Sequence, residues 1–208
     1  MKPWYRFWRF IGMFYYRFYH KLECYHPDRV PMTGPLLVAP NHMSYLDPPL
    51  VGGCSPRELH YLGRRSLFRR WWSNWILRSV NVVPIGVEGQ SSASGIKTAV
   101  RLLEQGHAVV IFPEGERSFD GNLLPAQPGI GLIVLKTGAP VLPVRIWGTN
   151  IAMPRKGKGK RAYLEVKFGR PLTFDRAQLP EDKRVASEVI SQAVMREIAA
   201  LKPNWDSA

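Results

Sequence analysis

Residues 36–47 read LLVAPNHMSYLD, and this stretch decides the fold of the 208-residue chain. It opens with four apolar residues, a short run typical of a strand that is buried on both faces. A polar turn, residues 41–47, follows directly. Because ligands and catalytic groups of α/β sheets gather beyond the carboxyl ends of the strands, this turn is the first candidate site.

Strands and helices alternate along the rest of the chain. Further strands are predicted at 109–112, at 141–146 and, as a half-exposed strand, at 162–168. Helices are predicted at 92–105, 129–137 and 184–201, where apolar residues recur at helical spacing. Gly106 and Gly138 follow the first two helices in the position of C-terminal caps. The alternation predicts an α/β domain with a mixed, largely parallel sheet flanked by helices.

Residues 1–22, MKPWYRFWRFIGMFYYRFYHKL, form a distinct segment. On a helix, its cations fall within an arc of roughly 120° and its aromatic residues cover most of the remainder. A wide aromatic face beside a basic stripe suits a lipid interface, and a core helix with a solvated stripe is the second interpretation. We predict that residues 1–24 form an amphipathic membrane-interface helix and that residues 25–208 form the α/β domain.

The charge of the chain favours anionic partners. Lys and Arg number 29 against 16 Asp and Glu, a net charge of +13, and such a surface attracts membranes, phosphorylated substrates or nucleic acid. Nucleic acid is the weak alternative, because the N-terminal aromatics have helical spacing, whereas single-strand binders present them on a sheet or groove. Arginines interrupt the N-terminal apolar run and no long apolar stretch exists, so we expect neither a signal peptide nor a spanning helix.

Cysteine usage bears on the compartment. Cys24 and Cys54 are the two cysteines, too few for a disulfide framework, and this fits a reducing environment. We expect Cys54 to be an inert structural thiol.

The turn after the first strand contains a potential acid–base pair. Asp47 follows His42 by five residues, so its carboxylate can hold one ring nitrogen while the other is free to accept a proton. Alternatively, Asp47 caps a helix that has Pro48 at its first position, and His42 is a satisfied turn histidine. The heptad alone leaves both interpretations open.

A second polar turn, FPEGERS at residues 112–118, follows the strand predicted at 109–112. Gly115 permits a tight turn, and the guanidinium fork of Arg117 suits a phosphate. Glu114 is suited either to orient a hydroxyl or to hold the loop. The alternative is a surface turn with a solvated arginine.

Together, NHMSYLD and FPEGERS resemble the first and third blocks, N-H-x-S-x-x-D and F-P-E-G-T-R-S, of the glycerolipid acyltransferase family, which includes 1-acylglycerol-3-phosphate acyltransferase. Residues 141–144, VLPV, resemble the fourth block, and the resemblance spans roughly residues 30–170. The chain departs from the family in four places: RRSLF at 64–68 replaces K-x-E-L-F, Val87 stands where many relatives carry Arg, Glu116 replaces Thr, and Gln127 stands where Lys is common.

The resemblance implies direct transfer of a fatty acyl group from a thioester to the free hydroxyl of lysophosphatidate, giving phosphatidate. His42 would be the general base and Asp47 would steady its imidazolium, with no acyl-enzyme. Arg117, helped by Arg64, would anchor the phosphate and Glu114 would position the glycerol. The substrate-binding residues that the resemblance implies are Asn41, Ser44, Arg64, Glu114, Gly115 and Arg117.

The resemblance also implies acyl-CoA or acyl carrier protein as donor, a lysophospholipid acceptor, and no other cofactor. No metal is expected, because the histidines lack ligand spacing. We expect a peripheral or monotopic protein on the cytoplasmic face of an anionic membrane, with no nucleic-acid partner. The alternatives are an acyltransferase for another lysophospholipid or amino-lipid, and a non-catalytic basic module that binds lipid or nucleic acid. Residues 67–77, LFRRWWSNWIL, are either a second docking segment or a partly buried core helix.

Overall fold

A seven-stranded sheet runs through the computed structural model, which describes residues 1–86 and 91–204, apart from the side chains of residues 91 and 92. The strands are β1 (Leu22–Tyr25), β2 (Leu36–Pro40), β3 (His60–Arg64), β4 (Val82–Ile85), β5 (Ala108–Val110), β6 (Val141–Trp147) and β7 (Leu164–Phe168). The helices are α1 (Pro3–His20), α2 (Asp47–Cys54), α3 (Trp71–Ser79), α4 (Ser91–Glu104), α5 (Gly129–Thr137), α6 (Thr149–Ala152) and α7 (Lys183–Ala200), with 3-10 turns at Pro27–Arg29, Arg65–Phe68 and Arg176–Gln178.

The strand order is β1-β7-β6-β2-β5-β3-β4. β6 and β7 pair antiparallel, and the other neighbouring strands pair parallel. This confirms the predicted mixed, largely parallel sheet. The predicted helices and three of the predicted strands, at 36–39, 109–112 and 141–146, lie within two residues of the observed elements.

The prediction of a half-exposed strand at 162–168 is wrong. β7 begins at Leu164, and its polar residue Glu165 is fully buried. The backbone N–H of Asn204 donates to the Glu165 carboxylate at 3.1 Å. The chain after α7 therefore covers the face of β7 that the alternating pattern assigns to solvent.

The sheet carries a hydrophobic core on each face. Successive residues of a strand point to opposite faces, so Leu36 and Val38 of β2 join one core while Leu37 and Ala39 join the other. Helices α1 and α2 cover the first core, and α4, α5 and α7 cover the second. With both faces covered, β2 is buried along its whole length, as its continuous apolar run predicts.

Helix α1 confirms the predicted N-terminal helix, and its two sides differ. Tyr5, Tyr16 and His20 are buried, and α1 packs on α2. The guanidinium of Arg9 donates to the carbonyl of Gly53 at 3.0 Å. The outward side exposes a row of large apolar residues: Trp4, Phe7, Phe10, Ile11, Phe14, Tyr15, Phe18 and Tyr19. Helix α1 is thus both a part of the core and a carrier of an exposed aromatic surface.

The sheet begins at Leu22, inside the segment 1–24 that the sequence predicts as the docking helix. Helix α1 ends at His20, and Lys21 has the left-handed C-cap conformation, while the division into a docking helix and a separate domain stays a prediction. Among the described residues, no helix combines the length and hydropathy that a membrane span requires.

The expectation of a free thiol at Cys54 is wrong, because Cys24 and Cys54 form a disulfide. It joins β1 to the end of α2, with the two Cα atoms 5.7 Å apart. The sequence does not reveal this pair, since a separation of 30 positions says nothing of the Cα geometry of the two cysteines. The argument for a reducing compartment from cysteine usage is lost with it, because disulfides are rare in reducing compartments.

Candidate active site

His42 and Asp47 form the hydrogen-bonded pair that their spacing predicts. Nδ1 of His42 lies 2.8 Å from Oδ2 of Asp47, in the turn between β2 and α2. The Asp47 side chain is fully buried, whereas 17% of the His42 side chain is exposed. Because the carboxylate engages Nδ1, Nε2 is the ring nitrogen that can accept a proton from a substrate.

Four hydrogen bonds converge on the Asp47 carboxylate. Besides His42, Oδ2 accepts the backbone N–H groups of Met43 and Ser44 at 2.6 and 2.7 Å. The hydroxyl of Thr149 donates to Oδ1 at 2.6 Å. These donors replace the water that a buried carboxylate loses. The capping interpretation of Asp47 is not the one observed: Leu46 is the N-cap residue of α2, without a side-chain cap.

The ring of Phe112 packs against the face of the His42 ring. The two rings stack with centroids 3.9 Å apart and planes 21° from parallel. Phe112 directly precedes the PEGERS turn, so the second polar turn supplies a wall for the histidine of the first. The ring is therefore fixed on its edge by Asp47 and on its face by Phe112.

The two polar turns are joined by two hydrogen bonds that involve the backbone of His42. The N–H of Ser118 donates to the carbonyl of His42 at 2.8 Å, and the N–H of His42 donates to Oε1 of Glu114 at 2.6 Å. The other oxygen of Glu114 accepts the N–H of Leu124 at 2.7 Å. Glu114 thus holds the loop, which is one of its two predicted roles, while its contact with the glycerol stays a prediction.

Glu114 is buried, and this burial raises the pKa of its carboxyl group. The hydrogen bonds from the backbones of Leu124 and His42, and the nearby side chains of His42 and Arg145, act in the opposite direction on that pKa. These interactions favour the charged form of the carboxyl group. The cost of burying that charge is larger, so the net effect is a raised pKa.

Asn41 and Ser44 are buried beneath the first turn. The amide of Asn41 accepts the N–H of Ile146 at 2.7 Å and donates to its carbonyl at 3.2 Å, which extends the pairing of β2 with β6. The hydroxyl of Ser44 donates to the carbonyl of Met153 at 2.9 Å. The structure therefore uses both side chains to build the turn, and their predicted contact with substrate stays a prediction.

Arg117 lies beside the pair in the second turn. Gly115 has φ +74°, as the predicted tight turn requires. The guanidinium carbon of Arg117 lies 3.7 Å from the centre of the Tyr45 ring, and the Tyr45 side chain is exposed. Stacking uses the face of the guanidinium and leaves its N–H edge for an anion. The guanidinium of Arg155 donates to the Arg117 carbonyl at 3.2 Å, which ties the turn to the chain after α6.

Arg64 lies on a strand that does not neighbour the strand of the pair. It ends β3 at the same edge of the sheet, but β5 lies between β3 and β2. Within residues 1–86 and 91–204, Arg64 makes no hydrogen bond or ion pair with His42, Asp47 or Arg117. Val87, which stands where many relatives carry an arginine, lies outside the described residues.

Two residues of the site, Thr149 and Tyr45, are not predicted from the sequence. Thr149 directly follows Gly148 at the end of β6, the neighbour of β2 in the sheet. The same rule that identified residues 41–47, a polar residue beyond the carboxyl end of a strand, applies to it. Tyr45 is within the quoted heptad, but its stacking on Arg117 depends on the contact of two separate turns.

The chain is similar to known acyltransferases. A protein-family model described as Acyltransferase matches residues 21–147. The 1-acyl-sn-glycerol-3-phosphate acyltransferase of Bacillus subtilis (strain 168) is 28% identical over 187 residues, covering 89% of this chain and 90% of that protein. The chloroplastic 1-acyl-sn-glycerol-3-phosphate acyltransferase BAT2 of Brassica napus is 31% identical over 126 residues, covering 60% of this chain and 36% of that protein.

A solved structure shares the fold. The crystal structure of the 1-acyl-sn-glycerophosphate (LPA) acyltransferase PlsC from Thermotoga maritima superposes with a TM-score of 0.75 at 24% sequence identity. The match covers 95% of this chain and 80% of that chain. The likeness shows that the two proteins share a fold.

Proposed function

This chain belongs to the Acyltransferase family, and on that premise we propose that it transfers a fatty acyl group from an acyl thioester to the free hydroxyl of lysophosphatidate, giving phosphatidate. The chain is an O-acyltransferase. The observation that carries the proposal is the His42–Asp47 pair, 2.8 Å apart, at the turn that also contacts the Arg117 turn. The pair supplies a base and Arg117 supplies an anion site.

The proposed reaction needs one base and no covalent intermediate. Nε2 of His42 takes the proton of the acceptor hydroxyl as that oxygen attacks the thioester carbonyl. The carbon–sulfur bond breaks, the thiolate of the donor leaves, and the imidazolium returns the proton to it. The products are an ester and a free thiol. Asp47 stabilises the imidazolium through the hydrogen bond to Nδ1.

The proposed acceptor site uses Arg117 as its main cation. Its guanidinium carbon lies 3.7 Å from the centre of the Tyr45 ring, and we propose that its N–H edge binds two oxygens of a phosphate at once. Arg64, at the same edge of the sheet, is the proposed helper. The donor is acyl-CoA or acyl carrier protein, and the proposal includes no metal or other cofactor.

We also propose that the protein is peripheral or monotopic on an anionic membrane, docked by α1. The exposed aromatic row of α1 and the basic residues beside it, such as Arg6 and Arg17, support this proposal. The cytoplasmic face is proposed because both donor classes are cytoplasmic thioesters. The Cys24–Cys54 disulfide is the observation that weighs against that compartment.

The test is an assay of the full chain with a panel of lysolipid acceptors, each offered with acyl-CoA and with acyl carrier protein. The proposal predicts that lysophosphatidate gives the highest kcat/KM. Robust transfer to a zwitterionic or uncharged lysolipid or an amino-lipid, with none to lysophosphatidate, would replace the acceptor. Absence of transfer to every acceptor would favour a non-catalytic lipid-binding module.

A further inference from the structure

The 3-10 turn Arg65–Phe68 and helix α3 expose large apolar side chains to solvent. Trp71 is 84% exposed, and about half of the surface of Leu67, Trp72 and Trp75 is exposed. No residue of α3 is buried. Ile76 and Leu77 are half-buried, as the interpretation of a partly buried helix predicts, whereas Trp71 and Trp72 are exposed.

The exposed side of α3 is continuous with that of α1. The ring of Trp75 packs edge-to-face on Trp4, with centroids 5.0 Å apart, and lies 6.5 Å from Trp8. Trp4 in turn contacts Phe7 at 5.8 Å. Two segments that are about 70 positions apart in the sequence thus form one apolar area, which we call the α1–α3 aromatic surface: Trp4, Phe7, Trp8, Leu67, Trp71, Trp72 and Trp75.

Arginines surround the α3 part of this surface. Arg65, Arg69, Arg70 and Arg78 are exposed, and the sequence contains no acidic residue between Glu58 and Glu88. The guanidinium carbon of Arg70 lies 5.9 Å from the centre of the Trp72 ring. Leu67, Trp72 and Ile76 line an open groove of about 700 Å³, with Arg69 and Arg70 among its other lining residues. The surface therefore combines an apolar area with exposed positive charge.

We propose that the α1–α3 aromatic surface is a membrane-inserting surface and that α3 contributes to it directly, with an anionic bilayer as its occupant. Tryptophan rings sit at the depth of lipid headgroups, and arginines beside them reach the phosphates. An anionic bilayer satisfies both the apolar area and the arginines. This inference rests on the proposed membrane docking by α1 and adds a second segment to it.

The test measures binding of the full chain to vesicles of phosphatidylglycerol and phosphatidylcholine by sedimentation. The variant is Trp71→Ser with Trp72→Ser. Its control is Val185→Ser with Val189→Ser, which removes two exposed apolar side chains from α7, on the sheet face opposite α1. We expect vesicle binding to weaken at least tenfold, or about 1.4 kcal/mol, in the tryptophan variant. The control should stay within about twofold of the unchanged protein.

A second variant, Arg69→Gln with Arg70→Gln, tests the charge. It should weaken binding to phosphatidylglycerol vesicles, reduce the dependence of binding on salt, and leave binding to pure phosphatidylcholine unchanged. Thermal melting of each variant shows whether it folds. If the tryptophan pair lowers the melting temperature, Trp71→Ser alone replaces it, since Trp71 is the most exposed of these residues.

Three results would overturn the inference in distinguishable ways. If the tryptophan variant melts normally and binds vesicles as tightly as the unchanged protein, α3 does not insert, while docking by α1 stands. If the unchanged protein binds no vesicles, the proposed docking fails as a whole. If the unchanged protein is a dimer and the variant is a monomer with normal vesicle binding, the surface is occupied by a second copy of the chain.

Discussion

The hydroxyl of Thr149 donates a hydrogen bond of 2.6 Å to Oδ1 of Asp47, across 102 positions of sequence. Both side chains are fully buried. The other oxygen of Asp47 serves His42 and the backbone of its own turn. Thr149 is thus the side chain from outside the turn that fixes the carboxylate, and through it the orientation of the proposed base.

Thr149→Val keeps the shape of the side chain and removes the donor, which leaves a carboxylate oxygen buried without a partner. Such a group costs about 1–3 kcal/mol. We expect kcat to fall by about tenfold or more with little change in KM, because Asp47 acts on His42 and not on the acceptor. Thr149→Ser should keep most of the rate, since its hydroxyl remains. Steady-state kinetics of the two variants measure the difference.

The matched control is Thr137→Val, which removes a hydroxyl that donates to the carbonyl of Ile133 at 2.8 Å at the end of α5. It should leave kcat near that of the unchanged protein. A Thr149→Val protein with a normal kcat, or one that Thr149→Ser does not rescue, would remove Thr149 from the positioning of Asp47.

Arg117→Lys retains the positive charge and loses the planar fork and its stacking on Tyr45. We expect kcat/KM for lysophosphatidate to fall by about tenfold, in proportion to a lost charge-assisted hydrogen bond. Tyr45→Leu should produce a smaller loss of the same kind, since the guanidinium stays but is less well oriented. Kinetics with a matched acceptor that lacks the phosphate provide the control. Equal losses for the two acceptors would show that Arg117 supports the loop and does not bind the phosphate.

Membrane docking by α1 is better tested by substitutions on its exposed side than by deletion of the helix. Removing residues 1–22 would also remove Tyr5 and Tyr16 from the core, so the truncated protein should unfold or aggregate. Phe10, Phe14 and Phe18 are exposed, and their replacement by Ser should leave the melting temperature nearly unchanged. Vesicle binding should weaken strongly, because each lost aromatic removes an apolar contribution that salt does not screen.

Binding of the unchanged protein to anionic vesicles should fall with salt but not vanish, since each Lys or Arg near the surface contributes about 1 kcal/mol of screened attraction. Transfer to membrane-held lysolipid should fall with the binding in the triple variant, whereas transfer to a short-chain soluble acceptor should be better preserved. A triple variant that still sediments fully with vesicles would contradict docking by α1.

Glu114→Gln tests the hydrogen bonds by which Glu114 joins the two polar turns. The amide retains one acceptor for the N–H groups of His42 and Leu124 and places a donor against the other. We expect the free energy of unfolding to fall by about 1–3 kcal/mol, and turnover to fall because the backbone of His42 is released. Chemical denaturation and kinetics of the variant measure the two effects.

The difference in unfolding free energy between the unchanged protein and Glu114→Gln should depend on pH, and its sign follows from the pKa of Glu114. Because burial raises the pKa of Glu114 above its ordinary value of 4.5, the folded state binds the proton more tightly than the unfolded state does. The unfolding free energy of the unchanged protein relative to Glu114→Gln should therefore grow as the pH falls through the raised pKa, and level off below 4.5. If this free-energy difference shrinks on acidification, the hydrogen bonds of Glu114 require the charged carboxylate.

The predictable parts of this molecule are those that depend on local pattern. The apolar run 36–39 predicts a buried strand and places His42 at its carboxyl end, and the spacing of His42 and Asp47 lets them meet within one turn. The helix ends at Gly106 and Gly138 follow from the ability of glycine to adopt positive φ, which both residues do.

What escapes prediction depends on partners that are distant in sequence. Asn41, Ser44 and Glu114 are polar residues of a site-like motif, yet their partners are the backbones of Ile146, Met153 and Leu124. No local pattern distinguishes a side chain that binds substrate from one that completes a turn. The Cys24–Cys54 disulfide and the contact of Trp75 with Trp4 depend in the same way on how separate elements pack.

The turnover of His42→Ala tests whether His42 is the general base. In the proposed reaction this ring takes the proton of the acceptor hydroxyl and returns it to the leaving thiolate, and positioned general bases contribute about 10²–10⁴-fold to a rate. The variant should melt like the unchanged protein, bind the same vesicles, and transfer acyl groups to lysophosphatidate with kcat lower by at least about 100-fold. A folded, vesicle-bound His42→Ala protein with near-normal turnover would contradict the account.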